Sequence, residues 1–257
     1  MRAISFLVIV LILLSVPALA IYKDTQTLSL DASKIERLRI NCGAGYLEIK
    51  GVEGLKTIEV EARIVIKGID DEDIDEFIDD YMDLELEDKG NYAKLTSHFD
   101  YDGGGFFRRI ATRALIDLTI QVPIEMELDI EDGSGLIAIQ KVNGDVDIED
   151  GSGEIGLFDI GGNIRINDGS GEIEMEDITG DIDLDDGSGD IRINVVTGDI
   201  EIDDGSGDIR VRRVDGSVTV SDGSGDIRID DVTQDVDVED DSSGSRHITN
   251  VEGKVYR

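Results

Sequence analysis

The tetrapeptide Asp-Gly-Ser-Gly begins at Asp132, Asp150, Asp168, Asp186, Asp204 and Asp222, a period of eighteen residues held without a slip. A worn seventh copy, Asp241-Ser242-Ser243-Gly244, arrives one residue late. A half-period lies inside each copy, because Gly135, Gly144, Gly153, Gly162, Gly171 and their successors as far as Gly225 stand nine residues apart. Fixed self-similarity of this kind is the signature of a solenoid, in which one supersecondary unit stacks on the next.

Each half-period carries a short run that alternates apolar and polar residues. Ile191 and Ile193 alternate with Asp190, Arg192 and Asn194; then Ile200 and Ile202 alternate with Asp199, Glu201 and Asp203. A two-residue period rich in Ile and Val specifies strand, and a glycine every ninth residue would break a helix. The expected fold is therefore all-β: a β-solenoid of eighteen-residue coils, each with two strands and two corners, stacked at about 4.8 Å. One corner reads Val/Ile-x-Gly, with Val142, Ile160, Ile178, Val196, Val214 and Val232 forming a third apolar ladder. The other is Asp-Gly-Ser-Gly, where glycine supplies positive φ and Asp caps backbone N–H groups of the turn.

The regular repeat occupies residues 131–257, and residues 21–130 form an irregular N-terminal part of the same solenoid. Gly43-Ala44-Gly45-Tyr46-Leu47-Glu48-Ile49 has the spacing of Gly151-Ser152-Gly153-Glu154-Ile155-Gly156-Leu157, so the stack is expected to begin near Leu28. Strands are expected at Thr57 to Lys67, Tyr92 to His98, Ala114 to Val122 and Ile124 to Ile130. Asp71 to Tyr81 reads as an inserted amphipathic helix, with Ile74, Phe77, Ile78 and Tyr81 on one face and acids in the first turn. Such a helix covers an edge or the first coil, protection that an open β-stack needs. Residues 101–113, with Gly103-Gly104-Gly105-Phe106-Phe107, read as a loop whose Phe pair packs down on the stack or else contacts a partner or membrane surface.

Residues 1–20 read as an address. Arg2 precedes an apolar run from Ile4 to Leu14, and Val16-Pro17-Ala18-Leu19-Ala20 ends as a signal peptidase requires. An uncleaved N-terminal anchor is the alternative, and Pro17 with Ala-Leu-Ala favours cleavage after Ala20. Either way the expected location is secreted or at the cell surface. Cys42 is the only cysteine, so no intramolecular disulfide holds this chain; the expected role is a small buried apolar residue, with an intermolecular bridge as the alternative.

Acids outnumber bases 59 to 24, a formal charge of −35. So acidic a surface repels nucleic acid and anionic lipid and points instead to cations, basic proteins or polycationic envelope material. Disorder is excluded as its cause, because the aliphatic residues are abundant and evenly spaced.

Ile116-Asp117-Leu118-Thr119-Ile120-Gln121-Val122-Pro123, an extended strand, Gly-Ser-Gly-x-Ile and many Gly-Asp-Ile repeats together resemble the putative-adhesin family of exported β-strand-repeat proteins, a domain of unknown function. The resemblance covers the chain after residue 20 and implies a β-solenoid at the cell surface. It implies no catalytic or ligand residues.

Three constellations carry possible chemistry. The corner column Asp132, Asp150, Asp168, Asp186, Asp204 and Asp222 is either a row of turn caps or a row of Ca²⁺ sites. Calcium-binding β-rolls share the nine-residue half, but their Gly-Gly-x-Gly-x-Asp-x-apolar-x pattern sets the ligand Asp in another register from Gly189-Asp190-Ile191. The solvent face of the second strand is acidic, as in Asp145, Asp147 and Glu149 or Asp199, Glu201 and Asp203, with relief at Asn163, Arg165 and Asn167. Arg192, Arg210 and Arg228 stand beside Asp190, Asp208 and Asp226, an arrangement that pairing across strands explains. A carbohydrate-active β-helix would use similar residues. However, the chain has no Trp, only His98 and His247, and no isolated carboxylate pair. The expected function is therefore a non-enzymatic adhesin-like spacer and binding surface without a cofactor. The alternatives are a calcium-binding β-roll-like protein and, more remotely, a carbohydrate-active enzyme.

Overall fold

The computed structural model describes residues 21–100, 113–241 and 243–256. The address segment 1–20 and the loop with its Phe pair therefore lie outside the described residues. The repeat half is built from alternating short strands. β8 (Val146–Asp150), β10 (Ile164–Asp168), β12 (Ile182–Asp186), β14 (Ile200–Asp204), β16 (Val218–Asp222), β18 (Val236–Asp241) and β20 (Val255–Tyr256) stack in parallel as one face. β9 (Gly153–Ile160), β11 (Ile173–Thr179), β13 (Ile191–Thr197), β15 (Ile209–Asp215), β17 (Ile227–Val232) and β19 (Arg246–Val251) stack as the other. From β8 to β17 each residue lies opposite its equivalent eighteen positions away, as Ile182 opposite Ile200 and Ile191 opposite Ile209, and at β19 and β20 nineteen away. Two longer strands, β2 (Arg37–Val52) and β7 (Glu127–Val142), pass through the Gly-x-Gly corner unbroken and form the first two coils.

The interior is a dry set of aliphatic ladders. Ile191, Ile193, Val196, Ile200 and Ile202 are all buried, as are their equivalents above and below. Each such side chain contributes about 1.5–3 kcal/mol by leaving water, and none could do so without the neighbouring coil.

The extra residue of the seventh copy is absorbed as a register shift between Val220 and Ser221, after which Asp222 again faces Asp241.

The irregular half differs from the expected continuation of the stack. β1 (Ile21–Asp31) is not a coil: it pairs antiparallel with β3 (Thr57–Lys67), which pairs antiparallel with β6 (Arg113–Pro123). β5 (Tyr92–Phe99) lies parallel on the first half of β2 and β6 on its second, while β4 (Met82–Asp88) is antiparallel on β5. In chain order the solenoid thus begins at Arg37; β5 and β6 add a parallel layer on β2, and β4, β3 and β1 close that end antiparallel. Alternation specifies which face of a strand is buried; it carries no information on strand direction, so β1 and β3 read like coil strands. The strand expected from Ile124 begins instead at Glu127, because residues 124 and 125 form a turn.

The helix forms where its periodicity places it, as a 3₁₀ turn (Asp71–Asp73) leading into α1 (Ile74–Tyr81). Ile74 and Phe77 are buried, and the Phe77 ring lies 5.2 Å from Tyr81 and 5.6 Å from Phe99. The apolar face of α1 therefore joins the core of the antiparallel cap.

The two corners use different backbone solutions. In Asp-Gly-Ser-Gly the second glycine is the more constrained: Gly189 has φ +155°, and a Cβ there would sit 1.6 Å from the Gly171 carbonyl oxygen, against 2.6 Å from Gly187 to the Gly169 oxygen. Coils touch main chain to main chain at this column, which no other residue allows. Before the Val/Ile corner a non-glycine residue turns left-handed in every copy: Lys141, Asp159, Asp177, Val195, Arg213, Asp231 and Asn250, with φ between 52° and 66°. This twist skips one step of the alternation, which is why Val196 rather than Val195 follows Ile193 into the interior. A β-branched residue in this region is strained by about 1–2 kcal/mol, so Val195→Asn should raise the melting temperature by a few degrees. An unchanged or lower melting temperature would contradict the strain.

Deleting one coil, Gly169 to Asp186, should leave a folded and shorter protein, since Asp168 then leads into Gly187 in register. A nine-residue deletion stacks the Val corner on the glycine column and should unfold the repeat half, as measured by circular dichroism.

Candidate functional site

The corner aspartates form a single column. Asp132, Asp150, Asp168, Asp186, Asp204 and Asp222 each face the next across adjacent parallel strands. Above them Cys42 holds the equivalent place in the first coil, opposite Asp132, half-buried with its thiol pKa pushed up by burial. Each Asp continues the inward phase of its strand: after Ile182 and Leu184, Asp186 is the third side chain to point inside. Asp132 is half-buried, and the other five are buried to 6% exposure or less.

One oxygen of each carboxyl makes the expected cap. The N–H groups of Ser152, Ser170, Ser188, Ser206 and Ser224 donate to Oδ1 of the Asp two residues earlier, at 2.8–3.2 Å. The Oδ2 atoms of Asp150, Asp168, Asp186 and Asp204 are buried without a hydrogen-bond partner. Burial pushes the pKa of Asp132 and Asp168 up, that of Asp150 and Asp186 up to about 6, and that of Asp204 up to about 7. Hydrogen bonds from the corner N–H groups oppose the shift and are outweighed. The carboxyls are strung one per coil, and among the described residues no three His, Cys, Asp or Glu side chains converge to hold a metal ion.

Two further aspartate columns run on the outer surface, and their roles could not be read from one coil. Asp145 Oδ1 accepts from Asn163 N, Asn163 Oδ1 from Asp181 N, Asp181 Oδ1 from Asp199 N, and Asp199 Oδ1 from Ser217 N, at 2.8–3.0 Å. On the other face Asp190 accepts from Asp208 N, Asp208 from Asp226 N, and Asp226 from Ser245 N, at 3.0–3.2 Å. Each side chain thus caps a backbone N–H one coil further on. The Asp226 carboxyl is held below the usual range, chiefly by its bond from the Ser245 backbone, opposite in direction to the buried column.

The arginine column is present in register, Arg192 opposite Arg210 and Arg210 opposite Arg228. Each arginine pairs both within its coil and across to the preceding one: Arg192 Nη2 lies 2.9 Å from Asp190 and Arg210 Nη2 2.7 Å from Asp208, while Arg210 Nη1 reaches Asp190 at 3.8 Å. Arg192 also pairs with Glu172 of the preceding coil.

The acidic face of β8, β10, β12, β14 and β16 forms an open groove of about 630 Å³. Eight carboxylates line it, among them Asp145, Asp147, Asp181, Asp183, Asp199 and Glu201, against two guanidinium groups. Both cations are already engaged, Arg37 with Glu127 at 2.6 Å and Arg165 with Asp183 at 2.9 Å. Asp147 and Glu201 are exposed. Arg165, read in sequence as relief of self-repulsion, does that work on Asp183.

A parallel solenoid with an antiparallel, helix-covered end and, among the described residues, no converging cluster of metal-ligating side chains defines a β-strand-repeat scaffold. The chain belongs to the Toastrack DUF4097 family, whose model matches residues 14–254. No curated protein matches it. Three solved structures similar to it share 10–16% identity. They are a putative adhesin from Bacteroides fragilis (13% identity, 91% of this chain and 96% of that one, TM-score 0.44), a protein named putative lipid binding protein from Parabacteroides distasonis (16%, 91% and 94%, 0.40) and a putative cell adhesion protein from Clostridium sporogenes (10%, 91% and 99%, 0.33). Among the described residues no helix is long and apolar enough to cross a membrane.

The cross-coil caps can be tested directly. Asp199→Ala removes the acceptor for Ser217 N and should cost about 1 kcal/mol in chemical denaturation, whereas Glu201→Ala should be near neutral. Asp199→Asn should restore the loss, since Asn163 already serves in the same column.

Proposed function

We propose that this chain is a non-enzymatic, exported β-solenoid displayed at the cell surface, a rigid spacer whose acidic groove binds a basic partner. The observation that carries the reading is the charge balance of the groove, eight carboxylates facing two guanidinium groups that are already paired. A low-curvature row of like charges at coil spacing suits an extended polycation better than a small molecule, because successive positive groups can meet successive coils. Export rests on Arg2, the apolar run and Ala18-Leu19-Ala20. The absence of a catalytic role is supported by the way aspartates are committed to backbone N–H groups in all three columns.

Poly-L-lysine is the probe. Binding should weaken steeply with salt, and Asp147→Ser with Glu201→Ser should reduce affinity several-fold. Glu154→Ser with Glu174→Ser removes the same charge from the opposite face and should leave affinity nearly intact. Equal losses from the two pairs would show charge without a site and overturn the groove. Calcium binding at the corner column makes a different demand: melting raised by calcium beyond sodium at matched ionic strength and reversed by chelator. The expected result is a chain folded in chelator with no calcium preference.

A further inference from the structure

The corner column poses an electrostatic problem that its caps do not solve. Asp150, Asp168, Asp186 and Asp204 stand one above another at strand spacing, about 4.8 Å, with one oxygen of each buried and unpartnered. Four adjacent ionised carboxylates in that setting would repel one another and leave four charged atoms without compensation.

Among the described residues the surroundings of these four offer no counter-charge. Along the column the neighbours are Asp132, with Cys42 beyond it, and Asp222. On the same strands the adjoining residues are Glu149, Asn167, Asp185 and Asp203, acids or an amide pointing outward. Across the interior the facing strands present Ile173, Met175, Ile191 and Ile193. Among the described residues no Lys or Arg forms an ion pair with any of the four.

We propose that Asp150, Asp168, Asp186 and Asp204 are held as a column of carboxylic acids that share protons along the solenoid axis, and that this column makes the repeat half a proton-dependent element, tighter as pH falls and looser as it rises. Protonation turns Oδ2 from an orphaned acceptor into an O–H donor, and the acid in register on the next coil supplies the acceptor. The result is the carboxyl counterpart of an Asn ladder. Oδ1 keeps its bond from the Ser N–H in either state. Because the sites interact, the protons leave as a set over a broad range rather than at four separate values.

The direction of the effect follows from linkage. The folded pKa values lie above the unfolded value of about 4, so the native chain binds more protons than the unfolded chain between them. The stabilisation is complete below about pH 4 and is lost as pH rises through roughly 6 to 7. This sign is opposite to that of the surface aspartates whose pKa is lowered, such as Asp226.

The test compares two double variants of the full chain that remove equal charge. Asp168→Asn with Asp186→Asn replaces buried acids with their neutral amide analogue, and Asp185→Asn with Asp203→Asn does the same outside. Melting temperature is followed from about pH 5 to pH 8. The wild type should lose stability across this range, the outer variant should keep that slope, and the buried variant should flatten it and melt several degrees higher than wild type at the upper end. Equal slopes in all three chains would overturn the proposal, since the dependence would then come from general surface charge. Infrared spectroscopy of the wild type near pH 6 gives a reading that needs no variant to fold. A carboxylic-acid carbonyl band, absent at pH 9, is expected, and its absence near pH 6 would overturn the proposal. Calcium added at the upper end of the range should raise melting no more than sodium at equal ionic strength. A calcium-specific rise confined to the wild type would mean that cations, not protons, neutralise the column.

Discussion

The repeat half of this molecule follows from parallel stacking in register, closest at the glycine column where one coil's backbone touches the next. With Gly189 sitting on the Gly171 carbonyl, the coils have no freedom to shift sideways, and each residue is placed on its own equivalent. Like therefore meets like. For Ile and Val this is an advantage, because identical shapes interlock into continuous ladders. For aspartate it is a hazard, and the chain meets that hazard in two different ways. On the surface, the Asp181 and Asp190 columns turn repetition to use, each carboxylate accepting from a backbone N–H one coil along. In the interior, the Asp186 column satisfies one oxygen within its own turn and leaves the other buried.

The coil was legible because its two periods are simple. Nine-residue glycine spacing located the corners, and alternation assigned the faces, as the burial of Ile191, Ile193, Ile200 and Ile202 shows. The helix was legible for the same reason: Ile74 and Phe77 recur at helical spacing and both are buried. What escaped were features without a periodic mark. The antiparallel direction of β1 and β3 leaves no trace in alternation. The left-handed residue at Val195 falls where no glycine signals it, and its presence is betrayed only by Val196 being one step out of phase with Ile193.

The depth of the corner aspartates was readable in principle. Ile182, Leu184 and Asp186 are spaced by two, so the alternation that buried the first two extended to the third. The Asp-Gly-Ser-Gly pattern drew attention to the turn, and the cap it implied is present, but the cap accounts for only one carboxyl oxygen. Cross-coil caps such as Asp199 to Ser217 lie eighteen residues apart and belong to the stack rather than to any local motif. A formal charge of −35 thus has a structural share and a displayed share, and the groove with Asp147 and Glu201 belongs to the second.

The hydrogen bonds between coils run along the axis, so a tether built this way carries tension through its coil interfaces one after another. No interface shares the load of another, and the one with slipped register at Val220 and Ser221 is the place where a pull from the C-terminal side first finds a mismatch. A coil that lets go trades about 4.8 Å of stack height for roughly 60 Å of extended chain. Extension of such a stack is therefore expected to proceed one coil at a time.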